Sequence, residues 1–204
     1  MKAKWSVRDW VYIGLFGALW GAAEMTLGSV LHIMFPPVAN TFVVGVIMAS
    51  LGCVIALCGR VFVPHRGSVL LIGVITTILK AFSLGGIKIG PMVAIMAESL
   101  LMEAGLLILP AASAAGFALA GMLALSWNFF HRFIMMWLLF GTDFMEVGIK
   151  MAKSGSRVLG MNEELLLPIL GVLLLIRMAA GLAAGLLARI LGRGVAGRLV
   201  REGS

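Results

Sequence analysis

Long apolar runs separated by short polar or proline-bearing breaks dominate the chain. The first run, residues 10–32, follows a basic start carrying Lys2, Lys4 and Arg8, with Trp5 and Trp10 as interfacial anchors. At a helical rise it is about 33 Å long, enough to cross a bilayer. Its length and the embedded Glu24 distinguish it from the apolar core of a signal peptide. A second run, residues 38–58, begins after Pro36 and Pro37 and ends before Arg60, Pro64, His65 and Arg66. The third, 68–84, stops at Gly85 and Gly86. The fourth opens at Gly90 and Pro91, with proline near the first turn as helix starts favour, and ends by Leu109 and Pro110. Residues 111–140 are apolar on either side of an interruption by Trp127, Asn128, His131 and Arg132, and read either as one long helix or as two short ones. Residues 141–164 are mixed and charged, a long loop with room for a surface helix. The last run, 165–191, leads into an arginine-rich tail.

Composition turns this pattern into a class. Of the 204 residues, 61% are hydrophobic and 12% charged, whereas a soluble domain carries roughly 25% charged residues. The ten-residue alternation of a transmembrane barrel is absent. The chain reads as an all-α integral membrane protein, a single transmembrane helical domain over residues 1–204, without room for a soluble catalytic domain. The net charge of +7 sits at the chain ends and in loops, where it sets topology, and is not a nucleic-acid footprint. Six crossings place Lys2, Lys4, Arg8, Arg60, Arg66, Arg189, Arg193, Arg198 and Arg201 on one side. The positive-inside rule makes that side, with both termini, cytoplasmic. Seven crossings would export the arginine tail. Cys53 and Cys58 share one apolar run and read as packing residues.

The ionisable residues inside the runs carry the candidate chemistry. Lys80, Glu98 and Glu103 fall within one stretch, where each charge costs roughly 2.5–3.5 kcal/mol on insertion scales. Glu24 and Glu98 lie about 12 Å, and Lys80 about 7 Å, from the outer ends of their helices. They form an outward-opening pocket with charged walls, or else a self-satisfied ionic cluster. Asn128, His131 and Trp137 add hydrogen-bonding and aromatic walls suited to a ring-shaped polar solute, or else form an interfacial belt. Glu103 and Arg177 share a depth near the membrane middle and are expected to pair as structural glue. In the first helix Gly14, Ala18 and Ala22 share one face, and Gly17, Gly21, Glu24 and Gly28 the next. Such small faces let helices approach closely, within the bundle or against another subunit. The last helix has its own small face, from Ala180, Ala184 and Ala188.

Enzyme signatures are missing: no H-E-x-x-H, no G-x-S-x-G and no phosphate-binding G-x-x-x-x-G-K-[ST] occurs. Glu163 and Glu164 lack the downstream motifs of glutamate-pair membrane proteases. His32, His65 and His131 fall at different predicted levels, so no metal or cofactor is expected.

The first-helix sequence Ala18-Leu-Trp-Gly-Ala22 and the fourth-helix start Lys88-Ile-Gly-Pro-Met-Val-Ala-Ile-Met-Ala-Glu98 resemble the S components of energy-coupling factor (ECF) transporters. Within them they are most similar to the hydroxymethylpyrimidine/thiamine group, whose Pro-Gly pair stands here as Gly-Pro. The resemblance implies a six-helix, high-affinity binder of a vitamin or related micronutrient in the cell's inner, cytoplasmic membrane. It would work with a transmembrane T component and two cytoplasmic ATPases. Ala18 and Ala22 would contact the T component, and Glu98 a cationic ring, with His131 and Trp137 as partners. A start of Met1-Lys2 sets the chain apart from the Met-His metal-binding subgroup. A stand-alone secondary transporter or small channel using Glu24 and Glu98, and a noncatalytic membrane scaffold, are the alternatives.

Overall fold

The computed structural model describes residues 5–34, 43–82, 89–162 and 164–202. Lys2, Lys4, the Pro36–Pro37 loop, the Gly85–Gly86 connection, Lys88 and Glu163 lie outside the described residues. Among the described residues all regular structure is helical. The helices are α1 (Val7–Met34), α2 (Gly45–Phe62), α3 (Ser68–Ala81), α4 (Ile89–Ile108), α5 (Ala114–Phe140), α6 (Phe144–Leu159) and α7 (Leu166–Glu202). Five of them (α1, α2, α4, α5 and α7) are long and apolar enough to cross a membrane, and α3 is a shorter apolar helix. The chain is thus an all-α, multi-pass membrane protein by length and composition.

Local chemistry sets the helix ends. Ser6 and Asp9 cap α1 reciprocally: the Ser6 hydroxyl accepts from the Asp9 amide at 3.2 Å and the Asp9 carboxylate from the Ser6 amide at 2.7 Å. Ser113 accepts from the Gly116 amide to start α5, and Asp143 from the Met145 amide to start α6. Gly141 closes α5 in the left-handed region, at a φ of 61°.

One open alternative is decided, and two boundaries differ from those the sequence pattern suggests. Residues 111–140 contain one helix, α5, which runs unbroken through Asn128 and His131. The polar residues there are not a turn signal, since no glycine or proline accompanies them, and they point into the bundle. α2 continues to Phe62, which draws Arg60 into a helix and leaves it 4% exposed. α7 continues to Glu202, because arginine is a good helix former and charge alone does not end a helix. The helix expected in residues 141–164 is α6. It is strongly amphipathic: Val147, Met151 and Ala152 are buried against Ile169 and Leu173 of α7, while Lys150, Lys153 and Arg157 are exposed.

α2 is the hub and packs against α1, α3, α4, α5 and α7, while α6 lies on α7 and α5. Glycines set the tightest contacts. A Cβ on Gly121 of α5 would strike the backbone carbonyl of Gly181 on α7. On α1, a Cβ on Gly17 or Gly21 would come within 2.8 Å of Ile75 or Leu79 of α3. The glycine face of α1 is therefore turned into the bundle. Its neighbour is not: Ala18 and Ala22 are exposed, and a Cβ on Gly14 would meet nothing. The small face of α7 is the reverse case, with Ala184 and Ala188 buried. The start of α1, the 63–67 turn, the 109–113 turn and the arginine-bearing part of α7 share one end of the bundle, here termed the basic end.

Candidate functional site

Two polar clusters interrupt the apolar interior, one near each end. At the basic end, Arg60 of α2 and Glu103 of α4 form an ion pair at 3.3 Å, with side chains 4% and 7% exposed. One carboxylate oxygen accepts from the Gly67 amide at 2.7 Å and the other from the Val69 amide at 3.1 Å. Those amides open α3 and have no partner within their own helix, so Glu103 satisfies them and stands at the positive end of the helix dipole. Arg60 also donates to the Ser68 hydroxyl at 3.1 Å and to the His65 carbonyl. His65 lies 3.4 Å from the Asp9 carboxylate and is stacked on Trp5.

The expected Glu103–Arg177 pair is corrected by this geometry: Glu103 spends its carboxylate on Arg60 and the start of α3. Gly192 of α7 packs against Val61, so the level of Arg60 lies about 15 residues beyond Arg177, roughly 22 Å along the helix. Depths counted from the outer helix ends miss this, because a shared depth does not make two helices neighbours: α5 packs against both α4 and α7.

In the far half of the bundle a seam of polar groups crosses from one side to the other. Lys80 of α3 donates to the Glu24 carboxylate at 3.2 Å and to the Glu24 carbonyl at 3.0 Å. Glu98 of α4 is 6% exposed. Its carboxylate faces Glu24 and lies within hydrogen-bonding reach of the Asn128 side chain on α5. The Asn128 amide donates to the Gly45 carbonyl of α2 at 3.5 Å, and its oxygen accepts from Arg177 of α7 at 3.4 Å. Arg177, 2% exposed, also donates to the Leu173 carbonyl and sits 5.7 Å over the Phe129 ring. Each of the six apolar helices thus delivers one polar group to the seam.

The Arg177 end of the seam opens into a cavity of about 400 Å³ walled by Asn128, His131 and Arg132 of α5, Met151 of α6 and Arg177. That volume is in the range of small-molecule sites. The ring nitrogen Nδ1 of His131 is buried without a hydrogen-bond partner among the described residues. A larger groove of about 690 Å³ between α3 and α4 is apolar, apart from Thr77 and the Trp127 indole, whose polar atoms are also buried without partners among the described residues. Among the described residues no group of three His, Cys, Asp or Glu side chains stands close enough to hold a metal ion.

The proposed solute residues therefore divide. Glu24, Lys80, Glu98 and Asn128 come together in one seam, and His131 lines the adjoining cavity. Lys80 and Glu24 satisfy each other, as the ionic-cluster alternative requires. Glu98 is one residue removed from the cavity wall, behind Asn128. Trp137 is exposed and packs against Phe144, outside the cavity. Arg177 and Met151 belong to the wall and were missing from the solute set. The 3.6-residue periodicity of 144–159 marks Met151 as inward-facing; nothing in the sequence pairs Arg177 with Asn128. No family model, curated protein or solved structure matches this chain.

Proposed function

We propose that the chain is a membrane-embedded solute-binding subunit of the kind that S components provide in ECF transporters. It holds a micronutrient in the far half of the bundle and relies on a T component and two cytoplasmic ATPases for energy. The observation that carries this reading is the seam: six helices bring polar groups to one level, beside a cavity of about 400 Å³. Polar groups at membrane depth normally face a cavity or one another, and here they do both. The absence of a phosphate-binding loop in the sequence agrees with energy supplied by a partner.

The arginine-rich basic end is assigned to the cytoplasm, with both termini, by the positive-inside rule. α3 counts as the sixth crossing: its 14 residues span about 21 Å, and it lies between α1 and α4 within the bundle. The cavity then opens on the outer side, where a solute arrives. Ala18 and Ala22, exposed on α1, are the proposed contact for the T component, where small residues permit close helix approach.

Native mass spectrometry of the purified chain against a vitamin panel tests the reading. One solute retained at one copy per chain is the expected result. Absence of any bound solute, together with proton-coupled uptake by the chain alone in proteoliposomes, would establish the secondary-transporter alternative instead.

A further inference from the structure

We propose that the contact between Asp9 of α1 and His65 of the 63–67 turn is a pH-sensitive latch, closed when the imidazole is charged, that fastens the start of α1 to the basic end. The imidazole is gripped from two sides. Its Nε2 lies 3.4 Å from Asp9 Oδ2, and its ring stacks on Trp5 with centroids 4.8 Å apart. The side chains of His65 and Asp9 are 20% and 14% exposed, so the pair is partly withdrawn from water while protons still reach it. Trp5 in turn packs on Trp10, at 5.4 Å between centroids, so the segment leading into α1 folds over the histidine.

The Asp9 oxygen that meets His65 also holds the helix start. Oδ2 accepts from the Ser6 amide at 2.7 Å and from the Ser6 hydroxyl at 2.8 Å. On the other side, the backbone carbonyl of His65 accepts from Arg60, which is paired with Glu103. The histidine thus joins the first turn of α1 to the buried cluster of α2 and α4. The charges around it have separate partners. Glu103 answers Arg60 and the opening amides of α3, Arg8 of α1 is turned to Tyr12, and Arg66 is exposed in the turn. Asp9 is the described carboxylate in contact with the imidazole, so it decides whether an imidazolium is held there. Histidine is the side chain that ordinarily changes charge between about pH 5 and 8. Below that range the contact is an ion pair. As the pH rises through it the imidazole becomes neutral and the charge attraction to Asp9 is lost, while the carbonyl bond to Arg60 stays. The latch therefore ties the seat of α1, the helix with the exposed Ala18 and Ala22, to the pH at the basic end.

Hydrogen exchange and tryptophan emission of the purified full chain in nanodiscs, at about pH 5.5 and about pH 8, test this across the histidine range. The comparison chains are His65→Gln, which is uncharged throughout and keeps the carbonyl for Arg60, and Asp9→Asn, which keeps an oxygen for the Ser6 amide. At the lower pH the amides of residues 8–12 should exchange about two- to fivefold more slowly in the wild-type chain than in either variant, the worth of a partly exposed pair. At the higher pH that difference should vanish. Trp5 emission, taken as the difference between the wild-type chain and Trp5→Phe, should fall on acidification, because a charged imidazole quenches an indole stacked on it. In His65→Gln it should not respond. A wild-type advantage equal at both pH values, no advantage at either, or a Trp5 response that survives in His65→Gln would overturn the latch. If one variant fails to fold, the other decides by the same exchange difference.

Discussion

The two polar clusters are made of the same residue types and differ in what they leave over. At the basic end every partner is internal: Glu103 answers Arg60 and two α3 amides, and Arg60 answers Ser68 and His65. Arg60 also lines a cavity of about 320 Å³ there, but no buried side-chain polar atom at that end lacks a partner among the described residues. In the far half, the Lys80–Glu24 pair is closed in the same way, yet the other end of the seam adjoins a cavity and keeps a His131 nitrogen without a partner among the described residues. A buried ion pair is therefore not by itself a sign of function. Surplus hydrogen-bonding capacity beside a space of solute size is the more telling feature.

The largest expected effect is at the basic end. Glu103→Gln leaves Arg60 buried without its counter-charge and should destabilise the chain by about 3–5 kcal/mol. Thermal unfolding in detergent checks this; an unchanged midpoint would mean that the cluster holds nothing together. Replacing both partners, as in the double variant Arg60→Met with Glu103→Met, removes the charges but strands the Gly67 and Val69 amides. It should still cost about 1–3 kcal/mol, the penalty for buried groups left unsatisfied. Full recovery of wild-type stability would show that the helix-start bonds contribute nothing.

Lys80→Met comes next. It leaves the Glu24 carboxylate without its cation on a pair whose side chains are 12% and 15% exposed. A loss of roughly 1–2 kcal/mol is expected, below that at Glu103 because water still reaches the pair. A loss as large as that of Glu103→Gln would erase the distinction between the two ends. Glu98→Gln keeps a group that can still bond Asn128, so its unfolding shift should stay under about 1 kcal/mol. A larger shift would make Glu98 part of the scaffold. The smallest effect belongs to α1. Ala22→Trp, on an exposed face, should move stability by no more than about 0.5 kcal/mol. Co-purification with a T component should nevertheless be lost; retained co-purification would remove Ala22 from the docking surface.

The small faces show how far a periodic pattern reaches. Gly14, Ala18 and Ala22 on α1 and Ala180, Ala184 and Ala188 on α7 have the same spacing, yet the first set looks outward and the second is largely buried. Spacing places residues on a common face of one helix. It carries no information on whether a neighbour covers that face, because that depends on the order of helices around α2.

By itself the sequence determined the helical class, the apolar helices, the amphipathic segment that became α6 and the depth of Glu24, Lys80 and Glu98 in one half of the bundle. These follow from hydrophobic period and helical rise, which are properties of each segment alone. Tertiary structure decided the partners. Glu103 went to Arg60 rather than Arg177 because α4 packs against α2, while α5 packs against both α4 and α7, and a depth along one helix does not say which helix is its neighbour. Arg177 became a cavity wall, and Trp137 was left outside, because pairing across a bundle depends on register and rotation between helices. Side-chain packing between helices sets those, most tightly at glycines such as Gly121 against Gly181.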